Sequence, residues 1–159
     1  MGINVGMDPI LQRLADEDAI RRITDFYSDA ITRLDATRAA SIYTEDGIVN
    51  IVGNQTSGRD AIEAGMRQSF AAFDLLRMIA HGGLIDVNGD TAQARWSTIE
   101  LGIRRGSSAM NVIFGRYDDA LVRRSDGWRF RLRTFTLAGR TQIDTTKLQL
   151  NPAFFTGVA

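Results

Sequence analysis

The chain has 159 residues, enough to bury one substantial core, and reads as a single domain over 1–159. Its 19 basic and 19 acidic side chains cancel, which argues against a nucleic-acid partner. It has no cysteine and a single histidine, His81, so disulfides, thiol nucleophiles, thiolate metal sites and multi-histidine zinc centres are excluded; no metal and no cofactor are expected.

No apolar run is long enough to span a bilayer, so no membrane partner is expected. The opening MGINVGMDP lacks the basic and apolar regions of a secretion signal, and Gly6 stands where a myristoylation pattern wants Ser or Thr. The default is a cytoplasmic protein.

Residues 1–8 read as a flexible start, and Pro9 to Ala15 as a helical turn leading into a long helix from Asp16 to Leu34. In that helix Ile20, Ile23, Tyr27, Ile31 and Leu34 recur at helical spacing, with Phe26 and Ala30 widening the stripe. Asp16 suits its N-cap, ahead of the acidic Glu17 and Asp18. A short helix follows over Arg38 to Tyr43, then the turn Thr44-Glu45-Asp46-Gly47 and a strand over Ile48 to Val52. Gly53-Asn54 turns the chain, and Ser57 is the expected cap of a third helix reaching about Phe73, with Ile62, Met66 and Phe70 on its buried face.

Beyond it the apolar period changes to two. Strands are expected over Arg77 to Val87, Thr91 to Arg104, Met110 to Arg123 and Trp128 to Leu137, the first pair joined by the hairpin signal Asn88-Gly89. Trp128, Phe130 and Leu132 alternate with Arg129, Arg131 and Arg133, so the three arginines are expected on a wet face. The alternation slips at Thr134-Phe135, which suggests a bulge there. Residues 141–159 have no clear period and are expected to cover an opening or a neighbouring subunit. A long helix against strands this long implies an α+β fold. In it a strongly curved, mostly antiparallel sheet wraps the N-terminal helix, two short helices complete the cone, and an apolar pocket is left inside.

The segments AIRRITDFYSDAITRLDATRAASIYTEDGIV, SGRDAIEAGM, AHGGLIDVNGDTAQARW and FGRYDDALVRRSDGWRFRLR resemble the SnoaL-like family of the nuclear transport factor 2-like superfamily. The similarity covers a core of about 15–138. It implies a cone-shaped α+β barrel related to scytalone dehydratase, polyketide cyclases, ketosteroid isomerase, hexachlorocyclohexane dehydrochlorinase and the non-catalytic small subunit of aromatic-ring dioxygenases. It also implies a dimer or trimer. In the dehydratase and the dehydrochlorinase a strand histidine acts as general base and an aspartate near the end of the long helix orients it. The resemblance places His81 at the histidine. A gapless register places Thr32 at the acid, and the nearest carboxylate is Asp35, one turn later. On an ideal helix Asp35 falls about 40° past Ile31 and Thr32 about 100° past it, so the wheel favours Asp35 and the register favours Thr32.

An imidazole titrates near neutrality and suits proton abstraction, whereas a core histidine bonded to a carbonyl is the plainer reading of His81. For Asp35 the plainer reading is a loop acid that caps Arg38. The expected substrate contacts are Thr32, Tyr27, Tyr43, Trp96, Arg116 and Tyr117; aromatic residues at such places also serve simply as core, and a strand arginine is usually solvated. Two functions stay open. One is a cofactor-independent lyase or isomerase (a dehydratase, dehydrohalogenase or cyclase) using His81 and Asp35 on a small hydrophobic, cyclic or polyketide-like molecule. The other is a non-catalytic binding or assembly module of the same fold.

Overall fold

A computed structural model describes residues 8–151. Most of the expected flexible start, residues 1–7, and the end of the tail, 152–159, therefore lie outside the described residues. The first helix, α1, runs Pro9–Thr32 without a break. Asp8 caps it, its carboxylate accepting from the Ile10 amide at 2.7 Å, and Pro9 loses no hydrogen bond at the first position. Asp16 is thus mid-helix and buried rather than a cap. Leu34 takes a positive φ of 57°, the chain turns, and Asp35 caps the short helix α2, Ala36–Ala40.

Strand β1, Tyr43–Ile51, starts earlier than the apolar run suggests and pairs with a strand not expected from sequence, β2, Asn54–Ser57. The two-residue turn between them holds Val52 at φ 51° and Gly53 at φ 85°. Helix α3, Arg59–Phe70, follows; its N-cap is Gly58, and the expected cap Ser57 lies at the end of β2. Then come β3, Phe73–Asn88, β4, Thr91–Arg104, β5, Ala109–Arg124, and β6, Gly127–Asp144. The last strand extends seven residues past Leu137, into the expected tail. The sheet order is β2-β1-β6-β5-β4-β3, antiparallel throughout except for the parallel pair β1 and β6.

The inner face of this sheet packs on α1. Ile20, Tyr27, Ala30 and Ile31 meet Tyr43, Met78, Trp96, Leu121, Phe130 and Phe135 in one core. Fully burying side chains of this size stabilises by roughly 1.5–3 kcal/mol each. Asp16 ties helix to sheet: it accepts from Arg123 through both carboxylate oxygens and from Trp128 Nε1 at 3.1 Å.

Of the sheet's register shifts, those at Gly82-Gly83 and at Arg131 bear on His81 and Arg133. In β3, Gly82 and Gly83 together stand opposite Trp96, with Gly82 at φ 66°. In β6, Arg131 is the extra residue, since Phe130 pairs with Leu121 and Leu132 with Ala120. This bulge, not one at Thr134-Phe135, puts Arg133 on the same face as Phe130, so Arg133 is fully buried and not on the wet face.

Candidate functional site: the interior of the cone

The structure does not bring His81 and Asp35 together. On β3, Met78 and Ala80 face the helix, and Arg77, Ile79 and His81 alternate with them onto the outer face. The bulge at Gly82-Gly83 comes one residue too late to turn the imidazole inward. His81 is exposed and stands in a row with Ser97 and Arg116, both also exposed. Asp35 is occupied as the α2 cap, accepting from the Arg38 amide at 2.9 Å. Where α1 reaches the sheet, Thr32 Oγ1 lies 3.5 Å from the Met78 amide; neither side chain there can take up a proton. Arg116 pairs with Asp118 at 2.8 Å on the outer face, away from the cone's interior. A hollow of about 460 Å³ on that face is lined by Leu84, Arg95 and Asp118 among others.

Four of the predicted contacts do converge. Tyr27, Tyr43, Trp96 and Tyr117 are all buried, and Tyr27 makes edge contacts with Tyr43 and Tyr117, ring centres 6.3 Å apart in each case. Tyr27 and Tyr117, together with Phe130, enclose Arg133. Its guanidinium carbon sits 4.1 Å from the centre of the Tyr117 ring and 4.3 Å from those of Tyr27 and Phe130. Such cation–π contacts are worth about 0.5–2 kcal/mol each. Arg133 Nε is 3.2 Å from Asp119 Oδ1, while Asp119 Oδ2 accepts from Trp96 Nε1 at 3.0 Å. Burial pushes Asp119 up to about 6, against the pull of the Arg133 charge and the Trp96 N–H. Among the described residues none of the three guanidinium nitrogens has a partner in hydrogen-bond geometry, and neither do Tyr43 Oη and Thr98 Oγ1. Buried groups of this kind ordinarily find water or a ligand. This part of the cone's interior is therefore polar and charged, contrary to the apolar interior expected.

Further along the inner face lies Glu100, on β4 opposite Met78 and Ile113. Tyr117 Oη donates to its Oε1 at 3.3 Å. Burial raises its proton affinity, partly offset by the Tyr117 hydroxyl and the Arg133 charge. Glu100 and Ile113 are half-buried, and Arg140 beside Ile113 is exposed, whereas Phe130 on the same face is fully enclosed. Arg133, Asp119 and Glu100 were not among the residues expected from sequence. One signal was present: Tyr117, Asp119 and Leu121 share a face, and an acid between two core positions calls for a buried cation.

This geometry, a curved sheet closed by one long helix, defines a cone of the nuclear transport factor 2-like kind. The chain belongs to the SnoaL-like domain family, whose profile matches residues 12–134. Among solved structures it is similar to hexachlorocyclohexane dehydrochlorinase LinA type 2, with 18% identity, 89% of this chain and 97% of that one covered, and a TM-score of 0.79. It is also similar to a protein provisionally named a scytalone dehydratase from Novosphingobium aromaticivorans, at 21% identity, 81% and 88% coverage and a TM-score of 0.76. A third is an NTF2-like protein from the same species, at 27% identity, 84% and 92% coverage and a TM-score of 0.67. No curated protein matches the chain. Among the described residues no helix is long and apolar enough to cross a membrane.

Proposed function

We propose that the cone is a binding chamber for a compact, largely apolar molecule bearing an oxygen function. The observation that carries this reading is the set of buried groups on the cone's inner face whose hydrogen-bonding capacity is unmet among the described residues: the Tyr43 and Thr98 hydroxyls, and the Arg133 guanidinium, which has its ion pair with Asp119 and the rings around it but no hydrogen bond. Rings supply the apolar contact, and these few groups orient the ligand. The test is methyl NMR during titration with hydroxylated and halogenated cyclic compounds. The methyls of Met78 and Ile113, inside, should shift, and those of Ile79 and Leu84, outside, should not. Shifts confined to the outer pair, or no saturable shift at all, contradict it.

A second reading is the lyase or isomerase one, in which His81 takes a proton and Asp35 orients it, on a cyclic or polyketide-like substrate. Its support is the family and the likeness to a dehydrochlorinase and a named dehydratase. It requires His81 to turn inward from the outer face. Elimination activity lost in His81→Ala would establish it; activity unchanged in that variant would exclude it. A dimer or trimer belongs to either reading. Ile79, Ile99 and Phe114, in register across three strands and 39–44% exposed, form the surface it would bury, and sedimentation would measure it.

A further inference from the structure

Glu100 differs from the other acids of the cone's interior, and from Asp35, whose carboxylate is taken up in capping α2. Asp16 and Asp119 each lie against an arginine, whereas Glu100 has no cation within ion-pair distance among the described residues. Its one hydrogen bond there comes from a phenol, and its Oε2 is uncommitted. Its strand neighbours on either side, Met78 and Ile113, are apolar, and the strand direction aims it at the same interior as Tyr117 and Thr98. Holding a half-buried carboxylate against apolar neighbours costs stability unless something there uses it.

We infer that Glu100 is the proton-accepting group of the chamber, acting on a compact apolar ligand whose C–H bond is acidified by a neighbouring carbonyl or by a leaving group. The inference rests on the binding-chamber reading above. The Glu100 carboxylate takes the carbon-bound proton. The C–H electron pair forms a new π bond, and the displaced charge leaves on the departing group or settles on the carbonyl oxygen. In the first case the proton passes on to water, and in the second it returns to another carbon. Tyr117 is a positioning residue: its hydroxyl holds Oε1, leaving Oε2 to react. Desolvation of the carboxylate by its neighbours makes it a stronger base than a free one, consistent with the direction in which burial moves it.

The probe is 5-nitrobenzisoxazole, a compact apolar molecule that reports on any base near it. Loss of its ring proton breaks the N–O bond and forms a nitrile and a coloured phenolate, with no other reactant. Binding is read by the Met78 and Ile113 methyls and turnover by colour, in wild type, Glu100→Gln and Tyr117→Phe. Glu100→Gln should lower kcat by about 100-fold or more while changing the probe's Kd by less than about threefold. Tyr117→Phe removes a donor to the carboxylate, so the pH at which the rate rises should move upward while turnover survives. If Glu100→Gln does not fold, Glu100→Asp, which keeps the charge but draws it back, should lower kcat and leave binding intact. Binding with turnover no faster than acetate at equal concentration, or turnover surviving Glu100→Gln, overturns the role of Glu100 alone. Failure of the probe to bind overturns the chamber reading with it.

Discussion

Asp16 offers the sharpest test of what fastens α1 to the sheet. Its carboxylate is almost wholly enclosed and accepts from Arg123 Nη2 at 2.7 Å, Trp128 Nε1 at 3.1 Å and Gln12 Nε2 at 3.2 Å, with Arg123 Nη1 on the other oxygen. Hydrogen bonds from Arg123 lead in holding its pKa down at about 2, against 3.8 for the free group. At about 1.36 kcal/mol per pH unit, this charge contributes about 2 kcal/mol to folding. The folded value is depressed, so the contribution is present in full above about pH 4 and is lost as pH falls through about 2. Asp16→Asn keeps the shape but not the charge. It should cost about 2 kcal/mol at pH 7, or about 4–8 °C in Tm for a chain this long, and progressively less as pH falls. Urea unfolding of both proteins from pH 7 to pH 2.5 measures the gap. A gap below about 0.5 kcal/mol at neutral pH, or one that does not shrink in acid, would refute the reasoning.

Gly83→Ala should destabilise by about 1–3 kcal/mol, because a Cβ there would lie 2.1 Å from the Trp96 ring; near-neutral unfolding energetics would show that the ring is not held where its bond to Asp119 puts it. Val52→Asn should stabilise by about 1 kcal/mol, since Val52 is β-branched at a positive φ that asparagine tolerates in a tight hairpin turn; a lower Tm in the variant contradicts this. Asp119 is raised to about 6, so its effect on stability runs opposite to that of Asp16. It favours the fold below about pH 4 and that favour fades as pH rises through about 6. Asp119→Asn should remove this fall, and a variant whose unfolding free energy declines between pH 4 and pH 7 as steeply as wild type is the opposing result.

Periodicity made much of the fold legible. The stripe through Ile20, Tyr27 and Ile31 marks the buried face of α1, and the Asn88-Gly89 signal marks the hairpin of β3 and β4, although the turn itself is Gly89-Asp90, with Asn88 still paired to Thr91; the second strand runs Thr91–Arg104 as expected. Features depending on one extra residue were not legible. A bulge reverses every later side chain on its strand, and nothing local in Gly82-Gly83 or Arg131 tells where the reversal falls. The bulge at Arg131 is why alternation assigns Arg133 to the wet face; His81 precedes its bulge, and its inward placement comes from the family resemblance rather than from the strand pattern. β2 carries no such signal, because Asn54–Ser57 is polar and short, with no apolar alternation to mark it. Tyr27, Tyr43, Trp96 and Tyr117, expected as substrate contacts, are buried in the interior, where Tyr27 and Tyr117 pack on Arg133, a cation that strand alternation assigns to water.

The central claim is that ligand chemistry belongs inside the cone, at the end lined by Met78, Glu100 and Ile113, and not beside His81. A crystal soaked with 4-bromophenol locates the bromine directly through its anomalous scattering. The predicted peak lies between α1 and the inner face of the sheet, next to Glu100. A peak on the outer face beside His81, or in the hollow lined by Leu84 and Asp118, with none inside, would contradict it.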